Sequence, residues 1–455
     1  MKENKKTVSV PPKLMAELAE KLKSSFDIAQ IPLIIEDKEA HLFYLKTVVD
    51  GEKLQNVIIK PFFELNTIEH FEAYLNSLPN KSEVPSNEEL LVELTRGFLL
   101  IAIEERFIFL ELRKVNSDTV HPTLMEATIH GPQLAFSEDL ATNLNIIRQN
   151  YHGASLVMNT YQLNDRSNRM IALLYDEESV NLKVLNKIKE KIELLEVPLV
   201  QSAGDLERLL TDKKYNLYPT TILTERPDRI VYNITGGKVI VMVDGSPQAI
   251  IAPVVFFDFM VSMESNYHNF WISLFTTFLG YFGLLTCLLL PSVYVAVTSY
   301  NPEILRTELA LTVTGSRIGV PYPSYIEVLF MLIFMELLTE ASIRLPKAVS
   351  ATATTVGGLI LGTAATEAAL ASNIMIIVVA AVAISTFVIP INELGFSIRI
   401  TRIFLIIFTS LFGLNGLIVG FLLLIMLLAN KDSFGEPYFK FFILAKNDEK
   451  KVNNE

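Results

Sequence analysis

The chain has 455 residues, half of them hydrophobic, and a formal net charge of −11 from 39 Lys and Arg against 50 Asp and Glu. This length allows two or three domains, and the acidic balance excludes the clustered Lys and Arg of a nucleic-acid-binding surface. The single cysteine, Cys287, excludes an intramolecular disulfide and a cysteine-based metal site. Nearly all of the excess acidity lies before residue 265, which predicts a soluble N-terminal region and an apolar C-terminal one.

Residues 1–264 predict a mixed α/β region with two subdomains, 1–155 and 156–264. The charged N-terminal segment lacks the apolar core of a signal peptide, so we expect this region to stay on the cytoplasmic side of a membrane. In the first subdomain, residues 54–63 (LQNVIIKPFF) and 107–115 (FIFLELRKV) predict strands. A helix is predicted from about Ser137, with Ser137 as its N-cap.

The second subdomain opens with a predicted buried strand at 169–176 (RMIALLYD) and a helix at 180–197. The stretches RIVYNI, VIVMV and QAIIAPV, within residues 229–254, then predict a β-meander with turns at Gly-Gly and Asp-Gly. This meander leads directly into the first apolar run. We therefore expect movement of the subdomain to reach the membrane helices.

Four apolar runs are each long enough to cross a bilayer, whose hydrocarbon core requires about 20 helical residues. Asp, Glu, Lys and Arg are absent from residues 265–302, 348–366, 368–392 and 403–430. We therefore predict an all-α multi-pass membrane domain of four to five helices over 265–430, followed by a short charged tail, 431–455. The four predicted spans are 270–298, 351–371, 373–390 and 403–429.

The segment 324–346 is apolar but carries Glu327, Glu336, Glu340 and Arg344, the last three of which recur every four residues on one helix face. Two interpretations stay open. The segment is either an interfacial helix with a wet face or a fifth crossing whose carboxylates line water. Four spans return the tail to the side of the N-terminal region and five place it opposite, and the Lys and Arg distribution does not decide between them.

The second span is built from Ala, Gly and Thr, with Gly358 and Gly362 in the GxxxG spacing that lets helices approach closely in lipid. Packing within the chain and packing between copies are equally open. Glu367 lies near the end of this span and either lines the same water-filled path or lies in the short turn before Asn373.

The sequence contains none of the motifs GxxxxGK[ST], GxGxxG, GxSxG or HExxH. Its six His residues are dispersed without metal-ligand spacing. We therefore expect no enzyme activity, no catalytic residue, no cofactor and no metal site. A membrane-anchored enzyme or a transporter is the alternative of another class, and the absence of a repeated half disfavours the transporter.

Several strings resemble the A subunits of bacterial spore germinant receptors, the GerA family. They are TERPDRI (224–230), VDGSP (243–247), FFDFM (256–260), LLLPSVYVA (288–296), RLPKA (344–348), IPINELGFSIRITR (389–402), SFGEPY (433–438) and GPQLAFSEDLATNLNIIR (131–148). The resemblance covers nearly the whole chain. Its motif residues are Gly131, Pro132, Phe136, Glu138, Asn143, Glu225, Arg226, Pro227, Asp228, Asp244, Gly245, Pro291, Pro346, Pro390 and Glu393. The chain departs from the family at His130 and Ala141, where the family usually has basic residues.

The resemblance implies a spore germination receptor subunit in the inner spore membrane, in complex with a transporter-like B subunit that binds the germinant and a lipoprotein C subunit. It also implies a homo-oligomer whose membrane helices conduct monovalent cations at the start of germination. Glu336 and Glu340, then Glu327, are the pore-side candidates in such a ring, and Glu367 completes the set. A sporulation-associated paralogue without its own germinant and a non-conducting scaffold remain alternatives.

Overall fold

The computed structural model describes residues 13–22, 25–35, 38–82, 87–103, 106–114, 122–123, 126, 128–163, 168–195, 197–211 and 216–440. They form two compact units. Unit 1 contains the described residues of 13–211 together with 221–253, and unit 2 contains 216–220 together with 254–440. Residues 441–455 of the predicted tail lie outside the described residues.

Unit 1 begins with an antiparallel sheet of order β1-β2-β4-β5-β3. Its strands are β1 Ile28–Ile35, β2 Lys38–Leu45, β3 Lys81–Ser82, β4 Phe98–Ile103 and β5 Arg106–Glu111, and its helices are α1 Lys13–Lys21, α2 Gly51–Lys53, α3 Lys60–Glu64, α4 Ile68–Ser77 and α5 Asn87–Thr95. Leu42 of β2 belongs to the core cluster that includes Phe62 and Phe71, whereas Phe43 belongs to the cluster that includes Met15. Both sheet faces are therefore covered, which explains the unbroken apolar stretch of β2.

The strand predicted at 54–63 is wrong, because this segment is helical. A π-helical stretch, Leu54–Ile59, continues α2 and leads into α3. The N-cap Asp50 accepts hydrogen bonds from the backbone N–H groups of residues 52 and 53. Leu54, Ile58 and Phe62 are buried at intervals of four, which is a helical period.

A second antiparallel sheet has the order β6-β7-β9-β10-β8. Its strands are β6 Leu156–Gln162, β7 Met170–Asp176, β8 Ile222–Thr224, β9 Val239–Val243 and β10 Ala249–Ala252, and its helices are α6 Leu140–Asn150, α7 Leu182–Glu193, α8 Ala203–Leu210 and α9 Pro227–Thr235. The strand predicted at 169–176 and the helix predicted at 180–197 are confirmed.

Two local predictions in this part of the chain are wrong. RIVYNI is not a strand but lies in α9, which has Pro227 at its first position and Asp228 in its first turn, both favourable at a helix start. Helix α6 begins at Leu140 rather than near Ser137, and its N-cap is Asp139.

Unit 2 is helical, and the predicted fold class is confirmed. Its helices are α10 Met263–Tyr267, α11 Phe270–Val295, α12 Thr307–Arg317, α13 Ser324–Arg344, α14 Lys347–Glu367, α15 Asn373–Phe387 and α16 Asn392–Ala429, followed by the short strands β11 Asp432–Ser433 and β12 Glu436–Pro437. A π-helical stretch, Ala296–Tyr300, extends α11. By length and composition, three helical segments of the described chain could each cross a membrane: Phe270–Tyr300, Val349–Glu367 and Asn392–Ala429.

Helix α16 reverses direction at Gly413, which has a φ of 62° and a ψ of −142°. A Cβ atom on Gly420 would lie 3.0 Å from Cδ2 of Leu405, and one on Gly416 would contact Phe408. In a continuous helix, residues 405 and 420 would be about 22 Å apart. The predicted single span at 403–429 is therefore an antiparallel hairpin with arms 392–412 and 414–429.

The contacts of unit 2 distinguish its two ends. The proximal end is marked by residues 217–220, where Ser397 Oγ donates a hydrogen bond to the Leu217 carbonyl at 2.6 Å. The distal end is marked by Gly413, where a Cβ atom would lie 2.9 Å from the Tyr300 ring. Helix α11 with its π-helical extension therefore finishes at the distal end, beside the tip of the α16 hairpin.

The remaining long helices alternate in direction. Helix α13 begins at the distal end, where the Ser324 and Ser299 hydroxyls are hydrogen-bonded, and α14 returns after a break at 345–346. Helix α15 begins at the distal end as well, where the Ser372 and Tyr294 hydroxyls are 3.3 Å apart. Helices α11, α13, α14 and α15 and the two arms of α16 therefore each run between the two ends of unit 2.

The chain after α16 returns to the proximal end. Ser433 Oγ donates to the Thr220 carbonyl at 2.8 Å and accepts from the Val254 N–H at 3.1 Å. The Phe256 N–H donates to the Tyr438 carbonyl at 2.9 Å. The described part of the tail therefore lies beside the residues at which the chain enters unit 2.

We predict that Gly413→Ala destabilises the helical unit by about 1–3 kcal/mol, because a Cβ atom is strained at this φ and contacts the Tyr300 ring. Gly395→Ala, on the same helix, is the matched control, since no atom lies within 4 Å of its Cβ position. It should be neutral or slightly stabilising. Thermal unfolding of the purified full chain measures both effects, and equal midpoints would contradict the hairpin turn.

Candidate functional site

Glu336 of α13 holds two arginines of the first α16 arm. Its Oε1 lies 2.7 Å from Arg402 Nη2, and its Oε2 lies 3.2 Å from Arg399 Nη1. The Arg402 side chain is fully buried, and its Nη1 lies 3.4 Å from the Cys287 sulfur on α11. A buried charge is costly unless it is paired. The predicted pore residue Glu336 therefore lies inside an ion pair that joins α13 to α16.

The carboxylate of Glu327 is also bound by neighbouring residues. It is buried, its Oε1 accepts from the N–H and the hydroxyl of Ser372, both at 2.7 Å, and its Oε2 lies 3.2 Å from Arg317 Nε. Ser372 is the N-cap of α15, whose N-terminus favours a negative charge. Glu327 therefore connects α12, α13 and the start of α15.

The other two predicted pore carboxylates are exposed. Glu340 forms an (i, i+4) pair with Arg344 at 2.7 Å, and both side chains are more than half exposed. Glu367 is exposed at the distal end of α14. The structure therefore separates the four carboxylates into two that are buried or half-buried and pair with other helices, and two that are exposed.

The predicted packing glycines have different surroundings. A Cβ atom on Gly358 would lie 3.6 Å from Leu338 of α13, whereas no atom lies within 4 Å of the Cβ position of Gly362. Sequence reasoning missed a second GxxxG pair, Gly416 and Gly420, which packs the arms of the α16 hairpin. The GxxxG spacing of Gly416 and Gly420 was visible in the sequence and indicates close helix packing.

Four motif residues lie at irregular points of the helices. Pro291 is buried inside α11, where it lacks an N–H for the helical ladder, and Pro346 is the N-cap of α14. Pro390 lies in the break between α15 and α16, and Glu393 is in the first turn of α16. These residues mark where the helices of unit 2 begin, end or lose a hydrogen bond.

The motif residues of unit 1 converge on the fully buried Arg226. Its guanidinium binds both carboxylate oxygens of Asp228, at 3.0 and 2.7 Å. It also donates to the carbonyls of Glu126 (2.7 Å) and Pro132 (3.0 Å) and to the Thr128 hydroxyl (3.0 Å). Arg226 therefore fixes residues 126–132 against the start of α9.

The neighbouring motif residues complete the same cluster, which we call the motif cluster, comprising segments 131–143, 224–230 and 243–247. Its further contacts are backbone or amide hydrogen bonds: Phe136 N to Glu225 O (2.9 Å), Gly245 N to Glu138 O (2.8 Å), Leu140 N to Asp244 Oδ1 (3.3 Å), and Asn143 with the N–H and C=O of Ser137 (2.8 and 2.7 Å). Gly131 precedes Pro132 in the first segment, and Pro227 follows Arg226 in the second. Segments far apart in the sequence therefore form one polar network.

A buried ion pair connects the two sheets of unit 1, and sequence reasoning missed it. Arg148 of α6 and Asp27 before β1 are both fully buried, with Nη2 and Oδ2 3.2 Å apart. The hydroxyls of Ser25 and Thr47 also donate to Asp27, at 2.5 and 2.6 Å. The pair was missed because, in the sequence, neither Arg148 nor Asp27 differs from an ordinary charged residue.

Asp139 caps α6 at the edge of the motif cluster. Its Oδ2 accepts from the Thr142 N–H at 2.7 Å. Hydrogen bonding, first with the Thr142 side chain and then with the backbone N–H groups of 142 and 141, lowers the pKa of the Asp139 carboxyl below its usual value. The cap therefore favours the ionised carboxylate.

The chain thus combines two antiparallel sheets flanked by helices with a unit of long apolar helices. A sequence profile of the Bacillus/Clostridium GerA spore germination protein matches residues 16–453. Spore germination protein GerLA of Bacillus cereus is 30% identical over 406 residues, which cover 89% of this chain and 81% of the relative. The uncharacterized membrane protein YfkQ of Bacillus subtilis (strain 168) is 30% identical over 417 residues, covering 90% and 81%.

A solved structure, the N-terminal domain of the A subunit of the Bacillus megaterium spore germinant receptor GerK3, aligns with 53% of this chain and 94% of its own length at 23% identity and a TM-score of 0.41. The profile match and the relatives define a class of membrane-associated spore germination proteins. The chain belongs to the GerA family, as its motifs predict. GerLA is named for spore germination and YfkQ for its membrane location.

We predict that Arg226→Met destabilises unit 1 by about 3–5 kcal/mol, because it leaves Asp228 and two carbonyls without their buried cation. Hydrogen exchange of peptides from 126–143 should rise together with a lower thermal midpoint. Arg106→Met is the control, since that side chain is 74% exposed beside Glu72. Its cost should stay below about 1 kcal/mol. Equal losses in the two variants would contradict the central position of Arg226.

We predict that Asp139→Ala lowers the free energy of unfolding by about 1 kcal/mol at neutral pH. Because the folded-state pKa lies below the unfolded value, the contribution is present above the unfolded pKa and is lost as the pH falls through the folded pKa. The difference from the parent chain should therefore shrink in acid. Glu138→Ala is the adjacent control, and a pH-independent difference would contradict the ionised cap.

Proposed function

We propose that the chain is the A subunit of a germinant receptor, a homo-oligomer whose helical units form a cation-conducting path in the inner spore membrane. The path opens at the start of germination, in a complex with a transporter-like B subunit and a lipoprotein C subunit. Membership of the GerA family supports the receptor role. The observation that supports the conducting path is the exposure of α14.

Helix α14 is the least covered of the candidate spans, since only 6% of the residues in its apolar stretch are buried within the chain. Thr355, Thr363 and Glu367 are exposed along it. The Thr355 and Thr363 hydroxyls donate hydrogen bonds to the backbone carbonyls of Ala351 and Leu359, at 2.9 and 3.0 Å. A helix of small and hydroxyl-bearing residues suits close packing between copies and contact with water. We infer that neighbouring copies and the conducting path cover α14.

The charges at the two ends of unit 2 support an orientation. Cytoplasmic membrane edges are enriched in Lys and Arg. The helix boundaries nearer the distal end carry Arg306 and Arg317, together with Glu303 and Glu308. Those nearer the proximal end carry Arg344, Lys347, Arg399, Lys431 and Lys440, together with Glu340, Glu393, Asp432 and Glu436. We infer that the proximal end faces the spore core, and that the soluble region, joined to unit 2 at Val254, is on that side.

The exposed carboxylates are the strongest candidates for cation attraction. Glu340 lies toward the proximal end of α13, and Glu367 lies at the distal end of α14. In a ring of copies each would form a circle of negative charge, as cation pathways require. Glu336 and Glu327 are paired with arginines of other helices, whereas Glu340 pairs with Arg344 of its own helix at a solvent-exposed position, where an ion pair is weak. We therefore assign Glu336 and Glu327 to holding the helices together.

We predict that spores carrying Glu340→Gln together with Glu367→Gln release monovalent cations more slowly after germinant addition, at normal protein level. Glu308→Gln, an exposed carboxylate in the first turn of α12, is the matched control and should release cations normally. Ion release over time and protein level by immunoblot are the measurements. Normal release by the double variant would contradict the assignment of these two residues.

In the same experiment, Glu336→Gln distinguishes a role of Glu336 in stabilising the fold from a role in ion conduction. It leaves Arg399 and Arg402 without their carboxylate, so we expect reduced protein level or assembly. A conduction defect at normal protein level would instead return Glu336 to the path.

A purified oligomer that conducts no ions in liposomes would favour the passive scaffold.

A further inference from the structure

The charges that meet at Glu336 do not balance. Two guanidinium groups, Arg399 and Arg402, share this one carboxylate in the described residues. Arg402 is enclosed by the bundle and receives the shorter contact. The excess positive charge therefore belongs to Arg399. An uncompensated charge among apolar helices is costly, which indicates that an anion from outside the chain completes the group.

Arg399 is placed to receive such an anion. Its side chain is 20% exposed, and in the described structure only its Nη1 meets an acceptor. The guanidinium lies over the ring of Phe396, 5.1 Å from the ring centroid, and Phe396 is itself 48% exposed. A cation and an aromatic ring thus stand together on the outer surface of the bundle, an arrangement typical of the membrane interface.

The depth of Arg399 fits a lipid headgroup rather than the hydrocarbon centre. It lies 14 residues from the tip of the hairpin at Gly413, which corresponds to about 21 Å along the helix, in a hydrocarbon core about 30 Å thick. It is one helical turn or less from Ser397 and Thr401, which are hydrogen-bonded to Leu217 and Tyr218 at the proximal end. A long arginine side chain reaches the headgroup level from such a position.

We propose that Arg399, with the Glu336–Arg402 pair behind it, binds the phosphate of an anionic phospholipid headgroup. The planar guanidinium matches phosphate oxygens, and one phosphate charge brings the sum over the two arginines and one carboxylate to zero. Phe396 packs against the glycerol and the first acyl carbons. The site rests on the membrane location in the proposed function, but it does not depend on ion conduction.

The test uses the purified full chain in a neutral detergent. Phosphatidylglycerol should raise the thermal unfolding midpoint by roughly 2–4 °C more than phosphatidylcholine does. Soluble glycerol phosphate at the same concentration should have no such effect, because it lacks the acyl chains that concentrate the headgroup at this surface. An equal shift with glycerol phosphate would overturn the lipid assignment in favour of a soluble phosphate site.

Three variants decide which residue is responsible. Arg399→Gln leaves Glu336 and Arg402 as a balanced pair, so we expect it to fold and to lose the phosphatidylglycerol increment. Arg399→Lys should keep part of it, because a lysine retains the point charge without the planar fork. Arg344→Gln, at an exposed arginine near the same end, should keep all of it. An unchanged increment in Arg399→Gln, or an equal loss in Arg344→Gln, would overturn the site.

Discussion

The fully buried guanidinium of Arg402 is the constraint on which the helical unit depends. Its acidic partner is the Glu336 carboxylate, and Cys287 lies on its other side. Removing one partner of a buried pair typically costs about 3–5 kcal/mol, because the other charge remains desolvated. This requirement brings α13, α11 and the first arm of α16 together at one level of the bundle.

The membrane arrangement follows from this pairing and from one backbone reversal. From the sequence, the charges of α13 allowed either an interfacial helix or a member of the bundle. Two of its carboxylates, Glu327 and Glu336, are the partners of arginines on other helices. Helix α13 is therefore a member of the bundle. The reversal at Gly413 turns the chain back toward the proximal end and returns Ser433 to the Thr220 carbonyl. The described start of the tail consequently lies where the chain enters the unit.

Hydropathy was sufficient to predict the fold class, because long apolar runs have few alternative explanations. Short apolar runs were less informative. RIVYNI read as a strand although Pro227 and Asp228 are helix-start signals, and the four-residue spacing of Leu54 and Ile58 was overlooked. Gly413 could not be recognised as a turn, since glycine is common within membrane helices.

The four-residue spacing of Glu340 and Arg344 indicated their pairing, but the partners of the buried charges could not be predicted, because they depend on contacts between distant segments. The sequence around Arg226 does not indicate that its side chain binds the Glu126 carbonyl. The sequence around Glu336 likewise does not indicate that it pairs with Arg402. Yet these partners change what a carboxylate can do. A glutamate held by a buried guanidinium offers little field to a passing cation, whereas Glu367 is exposed and Glu340 has only a solvent-exposed pair with Arg344, which is weak. The proposed conducting path therefore depends on carboxylates that the isolated chain leaves exposed, and on assembly through α14.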